Sequence, residues 1–247
     1  MKRIERHKLK ENEFARTVAN AREVITDRQR EITTIIVVAV VALAAVGGYL
    51  WWRTSRAAKA NGAFAAALAT YEAPVVPPAA PAPGSPAPLP QPGTFQSEQA
   101  KLEAALPKFL DAANTYPNTD AGIAARYYAA GILAGLGRAA EAEQRFKEVA
   151  DKAGDRIYGR TAKLGMAEAQ IAQAKYDPAI AIYTELSRDA NSRIPVDSVL
   201  MQLGRAYVRA GKKEEAVRAF NRIVEEFPQS QYASDARREM EEARKTS

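Results

Sequence analysis

The sequence predicts an all-α chain in which a single membrane-spanning helix precedes a solenoid of stacked helical hairpins. Three observations carry that prediction. Eighteen consecutive residues, Ile35 to Trp52, bear no charge. An aromatic residue recurs at Phe109, Phe146, Tyr183 and Phe220, each 37 positions after the last. Eight residues beyond each aromatic stands a residue that ends helices or opens turns, namely Pro117, Gly154, Asn191 and Pro228.

Composition narrows the chemistry first. The chain has 247 residues, 47% of them apolar, which is ample for a buried core. It has no cysteine, so disulfides, thiolate metal sites and thiol nucleophiles are excluded by inventory. Its one histidine, His7, lies in a charged N-terminal stretch, which removes histidine general bases and His-rich metal sites. The net charge of +6 is spread along the chain: residues 1–34 hold nine Lys/Arg against six Asp/Glu, and residues 53–247 hold 26 against 23. Nucleic-acid binding needs a clustered basic stripe or a known module, and neither is present.

The elements follow in order. Residues 1–34 form a basic tail in which Leu9, Phe14, Val18, Ala21 and Ile25 are spaced as one helical stripe, suited to a solvated helix, a membrane surface or a partner. Residues 35–52 are the transmembrane anchor. At about 1.5 Å per residue the run is roughly 27 Å long, close to a bilayer's hydrocarbon thickness. Tyr49, Trp51 and Trp52 at its far end suit a lipid–water interface. A cleaved signal peptide is the competing reading. The long preceding tail and the length of the apolar run both oppose it. The excess of Lys/Arg before the span places the N-terminus in the cytoplasm and the remainder across the membrane.

Residues 53–72 are alanine-rich and continue as a juxtamembrane helix. Residues 73–96 form a proline-rich spacer: nine of the twenty residues from Ala73 to Pro92 are proline. Proline fixes φ and removes the amide donor, so this stretch is expected to be extended and polyproline-like. The alternative is a ligand for a proline-binding domain.

Residues 97–247 are helical repeats closed by a C-terminal capping helix. Four positions before each periodic aromatic sits an alanine: Ala105, Ala142, Ala179 and Ala216. A small residue lets two helices approach, the aromatic fills the gap between hairpins, and the breaker turns the chain back. Each hairpin leaves an apolar face that only the next can cover. The helix from Glu98 to Tyr116 lacks an adjacent partner, so Arg56 to Tyr71 is expected to supply it, with the spacer inserted in the hairpin loop. Ser230 to Lys245 is charged on most faces, as a cap should be.

These columns resemble the tetratricopeptide repeat. Leu200, Leu203, Gly204, Tyr207, Gly211, Ala216, Phe220 and Pro228 reproduce its pattern in register, while Gly137, Ala142, Phe146 and then Ala174, Ala179, Tyr183 give looser copies. The layout of basic tail, single anchor and repeats resembles the bacterial inner-membrane proteins that serve as ancillary subunits of the Sec translocon.

The resemblance implies that the first helix of each pair lines a concave groove. Carried onto this chain, the groove positions are Tyr127 and Gly131, then Leu164, Glu168 and Ile171, then Met201, Arg205, Val208 and Arg209. Their mixture of apolar and charged groups suits an unfolded segment or an amphipathic helix. The expected partners are proteins, whether translocon, chaperone or unfolded client, and the membrane through one span. No catalytic residue, metal or cofactor is expected, since phosphate loops, GxSxG elbows and HExxH are absent. A structural role in cell division or outer-membrane assembly is the competing function.

Overall fold

The computed structural model describes residues 29–78, 91–188 and 194–245. The predicted tail stripe from Leu9 to Ile25, most of the proline-rich spacer and the turn residue Asn191 lie outside the described residues. Among those described there are nine helices: α1 Gln29–Tyr71, α2 Glu98–Thr115, α3 Asp120–Gly135, α4 Ala139–Ala153, α5 Ile157–Ala172, α6 Tyr176–Arg188, α7 Val196–Arg209, α8 Lys213–Glu226 and α9 Ala233–Lys245. No extended strand occurs among them. The chain divides into two units, Met1–Ser55 and Arg56–Ser247.

The described part of the first unit is the N-terminal portion of α1. Every side chain from Thr33 to Trp52 is exposed. By length and composition this helix suffices to cross a bilayer. Its hydroxyls turn inward on the backbone: Thr34 donates to the Arg30 carbonyl at 2.7 Å and Thr54 to the Leu50 carbonyl at 3.0 Å. Such bonds satisfy the hydroxyls without water.

In the second unit the helices pair. Arg56–Tyr71 of α1 runs antiparallel to α2: Arg56 donates to the Thr115 carbonyl at 3.0 Å, and Lys101 lies 5.9 Å from the centre of the Tyr71 ring. Phe64 and Tyr71 both meet Phe109, with ring centres 5.9 and 6.1 Å away. The chain between these helices returns to its own start, since Val76 N–H donates to the Phe95 carbonyl at 2.8 Å and Phe95 N–H to the Pro74 carbonyl at 3.0 Å. The side chain of Ser97 then caps α2 by accepting from Ala100 N–H.

From α3 onward each helix packs on the next, and α3 also touches α5. The periodic columns fall where their chemistry requires. Ala105, Ala142, Ala179 and Ala216 are wholly buried, and Phe109, Phe146, Tyr183 and Phe220 are at most 5% exposed. Burying each such aromatic contributes about 1.5–3 kcal/mol. Glycine takes two of the rings: a Cβ on Gly165 would stand 2.5 Å from the Phe146 ring, and one on Gly204 would overlap Phe220. Gly204 belongs to a further column with Ala130 and Ala167, again 37 residues apart and buried.

The turn inside each of these hairpins is one structure used three times. Gly137, Ala174 and Gly211 have φ of 75°, 58° and 73°. The residue after each donates back to the helix it has left: Arg138 to Leu133 at 2.8 Å, Lys175 to Gln170 at 2.9 Å and Lys212 to Tyr207 at 2.9 Å. This is the Schellman closure, which needs a left-handed residue. One buried guanidinium, Arg126 of α3, binds its neighbours by donating to the Ala113 carbonyl at 3.2 Å and pairing with Glu148 at 3.1 Å.

Candidate functional site

With α5 and α7 as first helices of successive hairpins, their matching faces border one groove. Glu168, Ile171 and Ala172 face it from α5 at helical spacing i, i+3, i+4, and Gln202, Arg205, Ala206 and Arg209 face it from α7. The cavity between them has a volume of about 260 Å³, and Tyr183 of α6 forms its floor.

The groove's electrostatics are uneven. Arg205 is held by Glu239 of α9 through bonds of 2.7, 3.0 and 3.2 Å, and this carboxylate raises the affinity of the guanidinium for its proton. Arg209 is exposed and has no carboxylate within ion-pair distance among the described residues. Desolvation pushes the Glu168 carboxyl above the usual carboxylate range. The Tyr183 phenol is pushed well above its free value, first by burial and then by Glu168, with Arg209 opposing. It therefore remains a neutral donor.

The expected groove residues divide. Glu168, Ile171, Arg205 and Arg209 come together in the cavity. Val208 is 45% exposed but does not line it, and Leu164 is half-buried against the core around Tyr183 and Phe220. Gly131 is exposed on α3. Tyr127 sits within an aromatic group, its ring centre 5.7 Å from Phe146 and 5.6 Å from Tyr158, and burial raises its phenol.

Met201 is a correction: it is 0% exposed and packs in the core. Helix α7 is covered on its α6 and α8 sides, so its buried arc takes in Val199, Leu200, Met201 and Leu203. Only the positions in step with Arg205 and Arg209 open to the groove. Gln202 takes the groove position instead, and the sequence carries a signal for it: it is the polar interruption of an apolar run, three and seven residues before the two arginines. Tyr183, expected from its column to fill the gap between hairpins, also lines the cavity.

Among the described residues no group of three or more His, Asp or Glu converges as a metal site. A family profile described as Tetratricopeptide repeat-like domain matches residues 26–240. Among solved structures, the chain is similar to the nearly identical TPR-like repeats of a kinesin light chain protein of Podosopora anserina, at 14% identity and a TM-score of 0.51, covering 59% of this chain and 79% of that one. It is likewise similar to a tetratricopeptide repeat protein from Parabacteroides merdae, at 17% identity and a TM-score of 0.50, covering 60% of this chain and 56% of that one. At these identities the likeness concerns the fold alone. No curated protein matches the sequence. Repeats of this kind are scaffolds for protein–protein interaction and are typically not catalytic. Since the profile takes in most of the chain, from within the N-terminal stretch to the closing helix, the protein belongs to the tetratricopeptide repeat-like family.

Proposed function

We propose that the protein is a membrane-anchored interaction scaffold of the bacterial cell envelope, one that holds a translocon, a chaperone or an unfolded client beside the inner membrane. The groove between α5 and α7 is the observation that carries this reading. Its mixture of apolar surface from Ile171, Ala172 and Ala206 with the polar Glu168, Gln202, Arg205 and Arg209 suits a polypeptide segment rather than a small reactant. The uncharged run from Ile35 to Trp52, exposed on every side, supports the anchor. The Lys/Arg excess before it supports a cytoplasmic N-terminus with the repeats in the periplasm.

A photoreactive residue in place of Gln202, activated in intact membranes, tests the partner. Recovery of translocation or chaperone components is the expected result. Crosslinks solely to division or outer-membrane assembly components would transfer the protein to the competing role, and no crosslink at all would sink the groove. Protease added to spheroplasts should digest the repeats and spare the tail; the opposite pattern would reverse the orientation.

A further inference from the structure

Among the groove's hydrogen-bond donors, Arg209 and Tyr183 are left unused by the protein itself. Arg209 faces the cavity from the last turn of α7 and has no carboxylate partner among the described residues. Tyr183 lines the same cavity, and no described residue accepts from its hydroxyl. The two lie near enough that the charge on Arg209 acts on the phenol. Beside them Ile171, Ala172 and Ala206 supply apolar surface.

Of the two arginines that line the groove, the other is already engaged. Arg205 is taken by Glu239 at 2.7 Å. A second hollow, between α6, α7 and α8, carries Arg188, Arg218 and Arg222; there Arg222 is paired with Glu226 at 2.7 Å and Arg218 with Glu215 at 3.6 Å, and Arg188 lies outside the groove. Arg209 is thus the cation that a ligand of the groove meets without displacing a carboxylate. Glu168 stands on the α5 wall of the same cavity, so an acidic ligand group is expected at the Arg209 end of the groove.

We propose that the pocket receives an acidic side chain of a partner polypeptide, whose carboxylate accepts hydrogen bonds from Arg209 and Tyr183 while an adjacent apolar side chain lies on Ile171, Ala172 and Ala206. The volume agrees with this occupant. At about 260 Å³ the cavity is smaller than the roughly 300–1,000 Å³ typical of small-molecule sites, and it suits one or two side chains of a larger ligand. The inference rests on the interaction-scaffold reading above and adds the chemistry of what is bound.

The test uses the full chain in zwitterionic lipid nanodiscs, with empty discs as the control. Three fluorescein-labelled peptides of equal length are compared by anisotropy, with leucine alternating with glutamate, glutamine or lysine. The glutamate peptide should bind most tightly. Arg209→Glu should weaken it by about tenfold or more, the scale of a lost charge-assisted hydrogen bond, and should restore binding to the lysine peptide. Tyr183→Phe should weaken the glutamate peptide by a smaller factor, about threefold. Arg209 is exposed, so its variant keeps the fold, and unchanged helical content checks this.

Equal binding of the glutamate and glutamine peptides, or indifference to Arg209→Glu, overturns the acidic occupant. So does failure of all three peptides to bind while the Gln202 crosslink is still recovered in membranes. Loss of that crosslink is the result that removes the scaffold reading itself, so the two failures are distinguishable.

Discussion

At the scale of single residues, Ala174 shows how the repeat tolerates an imperfect copy. Its φ of 58° makes it the one described residue other than glycine with a left-handed backbone, and it stands in the column of Gly137 and Gly211. A Cβ in that region crowds the following carbonyl at a cost of roughly 1–2 kcal/mol. The three turns make equivalent bonds, so the column imposes the conformation and alanine bears the strain. Ala174→Gly should therefore stabilise the repeats by about 1 kcal/mol, the steric relief less the entropy that glycine loses on folding. Urea unfolding in detergent micelles, followed by far-UV circular dichroism, reads the change. A variant no more stable than the parent would show that the turn carries no strain. The column itself was legible in the sequence because a turn needs a particular residue at a particular place. The strain was not, because it depends on whether the backbone bends to suit alanine or alanine submits to the backbone.

At the scale of elements, the hairpins are fastened at their turns. Glu143 of α4 accepts from Lys175 at 2.8 Å, Gln170 at 2.9 Å and Gln173 at 2.8 Å, tying α4 to the end of α5 and the turn beyond it. Lys175, and then the two glutamines against the desolvation of the site, hold its carboxyl below the usual carboxylate range. The sign of the linkage follows. A depressed folded value gives stability that is present above the unfolded value, about 4.5, and lost as pH falls through the folded one. Glu143→Gln should thus cost roughly 1–2 kcal/mol near neutrality and nothing once the parent's carboxyl is protonated. Unfolding curves taken at neutral and strongly acid pH test this, and an equal deficit at both would assign the loss to packing instead. Elements were more legible than their faces. The helix predicted over Glu98 to Tyr116 appears as Glu98–Thr115, but the groove face of α7 was displaced by one residue at Met201. A step of one residue turns a helix by about 100°, and the pattern of apolar residues cannot fix the face when two of its sides are covered.

At the scale of the whole repeat unit, Arg56–Ser247, the interior is two apolar clusters in series. One gathers Ala67, Phe109, Ile132, Phe146 and Val149, and the other Tyr183, Leu200, Met201, Phe220 and Ile223. They meet at α5, which gives Ala162 and Ala169 to the first and Ala167 to the second. The repeat period foretold this seriality, since a hairpin that touches only its neighbours cannot build a single central core. It did not foretell that the cores would join on a helix whose small residues serve both sides. A chain of nearest-neighbour contacts need not unfold all at once, and damage at one end should weaken that end first. Phe220→Ala removes a fully buried ring, a loss of about 3–5 kcal/mol, from the cluster that also underlies α9. Amide hydrogen exchange in this variant should accelerate across α7, α8 and α9 while α2 and α3 exchange as in the parent. Phe109→Ala should give the mirror pattern. Uniform acceleration along the repeats in both variants would mean that α5 couples the clusters into a single cooperative unit. A groove spanning α5 and α7 would then be as stable as the whole; with separate clusters, its α7 wall loosens together with the C-terminal end.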